Sequence, residues 1–111
     1  MPHELRRLVL ELEGMFAQGR NMNNISEKSQ EIVDECNKLT GRHGGSGSDI
    51  GKFTLWIKNR AEEVRESTRG RGVITSTQRR TTYKNGKDSA NLMLRRLRQI
   101  YLTLKEEWKE Y

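Results

Sequence analysis

"DSANLMLRRLRQIYLTLKEEWKEY", residues 88–111, decides the fold. Ala90, Met93, Leu94, Leu97, Ile100, Tyr101, Leu104, Trp108 and Tyr111 recur at three- and four-residue intervals. That spacing is one face of a helix of about six turns, because 3.6 residues per turn bring i, i+3, i+4 and i+7 together. Asp88 or Ser89 supplies the cap, a short side-chain oxygen for an orphan backbone N–H. Arg95, Arg96 and Arg98 crowd the first half, and KEEWKE restores charge balance in the second.

Three shorter helices are expected upstream. From Pro2 to Gln18, Leu5, Leu8, Val9, Leu12, Met15 and Phe16 share a face, Pro2 suits a first turn and Gly19 ends the run. From Ile25 to Thr40, Ile32, Val33, Cys36 and Leu39 form a second stripe, with Asn24 and Glu27 as a capping pair and Gly41 as the stop. Ser48 or Asp49 opens the third, which carries Phe53, Trp56, Ile57, Arg60 and Val64 and ends near Arg69, before Gly70 and Gly72. Residues 41–51, around GGSGS, read as a flexible link of the kind that also joins engineered segments.

Immediately before the opening stretch lies RGRGVITSTQRRTTYKNGK, residues 69–87, with six basic residues and no acid. Val73, Ile74, Thr75, Thr77, Thr81, Thr82 and Tyr83 favour extended backbone, and Asn85-Gly86 is a turn dipeptide. A basic Thr/Arg-rich loop or small hairpin, turning near Gln78-Arg79, is therefore expected over residues 70–87. The fold class is all-α: a single domain over residues 1–111, a small four-helix bundle with a basic insertion between the third and fourth helices.

Hydrophobic residues make up 32% of the chain and charged residues another 32%, so a core is feasible only if helices present narrow stripes. The net charge of +6 is focused. Residues 1–51 carry a net −2, and residues 65–98 hold ten basic residues against Glu66 and Asp88 alone. Such a patch attracts polyanions. Arginine outnumbers lysine there by eight to two, which favours bidentate phosphate contacts.

Little catalytic chemistry is on offer. GSDIGKF resembles the end of a phosphate-binding loop, but Ser46 and Phe53 stand where that pattern needs glycine and a hydroxyl. His3, His43 and Cys36 form no metal set at a familiar spacing, and Cys36 lies on an apolar face. Glu62 and Glu63 are adjacent, so they project about 100° apart and cannot form a facing acid–base pair. RRTT, residues 79–82, resembles a basophilic kinase site whose phosphorylation would oppose polyanion binding.

The sequence therefore points to a non-catalytic protein without cofactor or metal that binds nucleic acid, RNA favoured over DNA, through its phosphate backbone. One ridge of Arg65, Arg69, Arg71, Arg79, Arg80, Lys84, Lys87, Arg95, Arg96 and Arg98 is expected to carry the binding. Tyr83 is the candidate for base stacking. The alternative is a helical adaptor or inhibitor whose ridge meets an acidic protein surface. A homodimer would cover spare apolar area. A membrane role is disfavoured, because no run approaches the roughly 18 apolar residues of a span. One cysteine and no leader-like N-terminus suggest an intracellular, cytoplasmic or nuclear setting.

Overall fold

The computed structural model describes residues 3–42, 45, 47–69 and 76–108, with side chains of the last helix described to Thr103. Four helices are present: α1 (His3–Ala17), α2 (Met22–Arg42), α3 (Asp49–Thr68) and α4 (Ser76–Trp108). No strand occurs among the described residues. Contacts join α1 to α2, α2 to α3, α3 to α4 and α4 back to α1, so the helices close a ring in chain order. Neighbours run antiparallel, as short connections require. The bundle is elongated, 46 × 20 × 17 Å.

The expected stripes form the core. Leu5, Val9 and Leu12 of α1, Ile25, Ile32 and Leu39 of α2, Ile50 and Ile57 of α3, and Met93 and Leu97 of α4 lose essentially all exposure. Ser29, Thr54 and Thr68 are buried beside them. Each returns its hydroxyl to a carbonyl one turn back, Ser29 to Ile25, Thr54 to Gly51 and Thr68 to Val64, so none of the three is left unpaired. Thr40 and Thr54 also share a 2.7 Å hydrogen bond, which ties α2 to α3. Cys36 is a core residue; burial, reinforced by the neighbouring Glu35 charge, pushes its thiol up to about 12.

Helix ends refine the expected boundaries. Gly19, at φ 66°, closes α1: its N–H reaches the Phe16 carbonyl and that of Arg20 reaches Met15. The chain re-enters helix at once. Asn21 is the cap of α2, its Oδ1 accepting from Asn23 N–H at 2.8 Å while its carbonyl takes the first helical bond from Ile25. Asn24 is therefore inside the helix, because burying Met22 draws the first turn three residues earlier. Gly41 does not stop α2 either; the helix runs through Arg42, and Gly45, at φ 83°, returns its N–H to the Thr40 carbonyl. Ser48 caps α3 by accepting from Gly51 N–H. The expected link of residues 41–51 thus shrinks, its two ends being helical.

The larger correction concerns residues 76–87, which are neither loop nor hairpin. They are the first turns of α4, so Gln78-Arg79 makes no turn, and Asp88 and Ser89 are mid-helix. The expected Val73, Ile74 and Thr75 strand residues lie outside the described residues, as do Arg71, His43 and the side chains of Leu104 and Trp108. Tertiary contact explains the helix. Tyr83 and Gly86 extend the stripe of Ala90, Met93 and Leu97 at alternating three- and four-residue steps. The Phe16 ring occupies the space that a Cβ at Gly86 would need. Tyr83 meets Phe16 edge-on, centroids 6.2 Å apart, and its hydroxyl donates to the Arg20 carbonyl at 2.6 Å. Packing of this kind overrides a local preference for extended backbone.

Gly86→Ala therefore sets helix propensity against sterics. It gains up to about 1 kcal/mol of propensity but should still lower thermal stability, since overpacking typically costs about 1–3 kcal/mol. In a Phe16→Leu background the same change should become neutral or favourable. Thermal unfolding of the four proteins checks this, and equal effects in both backgrounds would count against the contact.

Candidate nucleic-acid interface

Helical residues 76–87 make one continuous rod of the basic segment and the arginines beyond it. Arg80, Lys84, Lys87, Arg95 and Arg98 stand at i, i+4, i+7, i+15 and i+18, within about 80° of arc at 100° per residue. All five are exposed. None forms an ion pair among the described residues. At 1.5 Å per residue this flank runs about 27 Å. Asp88 is the one acid between Ser76 and Thr103.

The topology adds a cation from α1. Arg6 joins Arg95 and Arg98 around a groove of about 520 Å³ whose apolar lining includes Leu10, Leu94, Leu97, Tyr101 and Leu102. Leu10 and Leu102 are 39% and 65% exposed, so this floor is open to solvent. Arg6 sits in the half of the chain with net negative charge, and nothing in the sequence linked it to Arg95. Glu13, seven residues on, shares its flank of α1 and is half-buried.

The ten expected cations do not form one ridge. Arg65 is half-buried on α3, where it donates to Gln30 of α2 and pairs with Glu66 at 3.4 Å. Arg69 is exposed just past the end of α3, its N–H bonded to the Arg65 carbonyl. Arg79 is exposed but lies about 100° around α4 from Arg80. Arg96 is on the opposite flank of α4 from Arg95 and Arg98, its guanidinium 5.1 Å from the Trp56 ring centroid. Arg71 lies outside the described residues. Tyr83 is half-buried, with its ring against Phe16 and its hydroxyl engaged, so it packs the α1/α4 seam.

A second cleft, about 390 Å³, lies between α3 and α4 and is lined by Asp49, Lys52, Phe53, Trp56, Arg96, Ile100 and Thr103. Arg60 stacks on Trp56 at 5.2 Å, a contact that their shared face at i, i+4 spacing allows. No such spacing links Trp56 to Arg96.

The chain matches no known protein family, no curated protein and no solved structure. Among the described residues no helix is long and apolar enough to cross a membrane, and no group of three His, Cys, Asp or Glu is placed to hold a metal.

Charge is handled differently on the other side of the bundle. Arg7 pairs with Glu4 and Glu11 along α1, and Lys28 of α2 pairs with Glu11 and Glu31, each at 2.8 Å. The hydrogen bond from Lys28 holds the Glu11 carboxyl below its ordinary range, against a smaller opposing effect of burial. Burial alone would lower Lys28, but its bonds to Glu11 and Glu31 carry it above its usual value. Cations here are neutralised, and those of the α4 flank are not.

A lowered folded pKa means that Glu11 contributes stability above the ordinary glutamate value of 4.5, and loses it as pH falls through the lowered value. Glu11→Gln should accordingly cost about 0.2–1 kcal/mol at neutral pH, since solvent reaches more than a third of the side chain and screens the pair. The deficit should shrink to nothing in acid. Urea midpoints of both proteins across that range check the window.

Proposed function

We propose that this protein binds nucleic acid through its phosphate backbone, without catalysis, by the flank of α4 that bears Arg80, Lys84, Lys87, Arg95 and Arg98, with Arg6 beside it. The observation that carries the reading is a set of exposed cations, unpaired among the described residues, aligned along one flank of a single helix. Self-repulsion among them opposes folding and is relieved only by anions from outside. A helical row of about 27 Å matches about eight phosphate steps of a duplex strand at about 3.4 Å each. Arginine at Arg80, Arg95 and Arg98 supports forked contacts to phosphate oxygens.

A flexible basic loop over residues 70–87 would favour RNA, because it could order around an irregular strand. Residues 76–87 are helical, so the ridge favours neither RNA nor DNA on that ground.

A second reading has its own support in the α1/α4 groove. Leu10, Leu94, Tyr101 and Leu102, between Arg6, Arg95 and Arg98, suit an acidic partner segment that inserts an apolar side chain. Removing residues 70–87 does not separate the two readings, because Tyr83 and Gly86 belong to the packed seam. Surface substitution does.

Anisotropy with labelled duplex and single-stranded RNA and DNA, at about 50 and 200 mM salt, is the first test. If about five phosphates are engaged, log affinity should fall against log salt with a slope of roughly −4 to −5 on duplex DNA. Arg80→Ala and Arg98→Ala should each weaken binding and reduce that slope by about 1. Arg7→Ala, whose charge Glu4 and Glu11 already neutralise, should change little. Absence of binding at low salt sinks the reading. Loss of a protein partner on Leu102→Ser, with nucleic-acid affinity intact, would favour the groove instead.

A further inference from the structure

The ridge explains affinity for phosphate but leaves the α3/α4 cleft without a role, and that cleft has a graded lining. Antiparallel packing sets Trp56 across from Arg96, Phe53 across from Ile100, and Asp49 across from Thr103. Trp56 and Ile100 are half-buried, so each keeps surface facing the cleft, while Phe53 is buried beneath them. The floor is thus aromatic and aliphatic. Arg96 and Lys52 on its rim are exposed and form no ion pair among the described residues, and Asp49 forms none either. Asp49 and Trp56 are seven helical steps apart, about 10 Å, on the scale of one nucleotide from base edge to phosphate.

We propose that this cleft receives one unpaired nucleotide, its base stacked on Trp56 and its phosphate held by Arg96 with Lys52. The proposal rests on the nucleic-acid reading and adds to it a site on the other flank of α4. In the unbound protein the Arg96 guanidinium, 5.1 Å from the ring centroid, covers the indole. A guanidinium over a half-exposed ring is held more weakly than a stacked base. An entering base displaces it, and Arg96 turns its donors to the phosphate that arrives with the base. Arg60, 5.2 Å from the same centroid and 3.8 Å from Glu63, stays in place and supports the ring.

The far end of the cleft reads the base edge. The Asp49 carboxylate accepts hydrogen bonds and donates none. Thr103 spends its proton on the Gln99 carbonyl at 3.2 Å, so toward the cleft its oxygen accepts too. Two acceptors suit an exocyclic amino group. Adenine and cytosine offer one and uracil does not, so the cleft selects amino-bearing bases. A base locked in a duplex cannot enter, which restricts the site to single strands, loops and ends.

Trp108→Phe leaves Trp56 as the sole tryptophan, and its emission reports the cleft directly. Titration at about 50 mM salt with RNA oligoadenylate or oligouridylate of about five nucleotides, with a duplex, and with adenosine monophosphate separates the sources. The expected result is quenching by oligoadenylate at several-fold lower concentration than by oligouridylate, and binding of duplex without quenching. Arg96→Ala should weaken oligoadenylate several-fold, and Asp49→Asn should narrow the adenine preference. Quenching by the mononucleotide at a similar concentration would support the cleft and name free nucleotide as its occupant. Trp56→Phe, which retains Trp108, should lose the quenching and so guards against a misfolded reporter. Oligoadenylate that binds while Trp56 emission stays unchanged overturns the cleft and leaves the ridge standing. Failure of every nucleic acid to bind overturns both.

Discussion

Everything distinctive about this bundle depends on the Phe16 ring packing against Gly86. A side chain at residue 86 would hold α1 and α4 apart, and Tyr83 would no longer reach the Arg20 carbonyl. The seam packs the helix at Tyr83 and Gly86, and the helicity of residues 76–87 aligns Arg80, Lys84 and Lys87 with Arg95 and Arg98. A turn dipeptide in the sequence thus serves as the point of closest approach between two helices. Glycine is required there for its missing Cβ, and its backbone freedom is not used.

The two sides of the ring treat charge in opposite ways. Between α1 and α2, carboxylates and cations are interleaved, and Glu11 bridges Arg7 to Lys28. Along α4 from Ser76 to Thr103 the cations stand without carboxylates, Asp88 apart. Self-repulsion of this kind is a standing cost to the folded state, and the buried stripes of four helices offset it. Arg65 shows what the other course looks like: on α3 the same side chain is half-buried and bonded to Gln30 and Glu66.

How much of this was legible follows from the range of each signal. Stripes such as Leu5, Leu8, Val9 and Leu12 are local, and they gave the all-α class, the helices and most of the core. The Ser48 cap was legible because capping spans three residues. Residues 76–87 were misread because Thr81, Thr82 and Tyr83 favour strands in isolation, while the contact that decides the matter comes from Phe16, some seventy residues earlier. The cationic candidates were found by composition, but composition has no direction. Helical phase split Arg96 from Arg95 and Arg98, and only the closing of the ring brought Arg6 to them or set Arg96 over Trp56.

Residues 76–81 are exposed on every side. They continue α4 past Tyr83, the outermost seam residue, so their order rests more on the helix's own hydrogen bonds than on burial. Short helical stretches of that kind open and close at little free energy, well before the rest of the molecule unfolds. Amide exchange along α4 should therefore be graded, fast at its first turns and slow from Ala90 through Leu97. The ridge has one end anchored at Arg95 and Arg98 and another, around Arg80, that frays. An anion docking at the anchored end meets a surface already formed, whereas one docking at the other must first stiffen it, and part of the interaction is spent on that ordering.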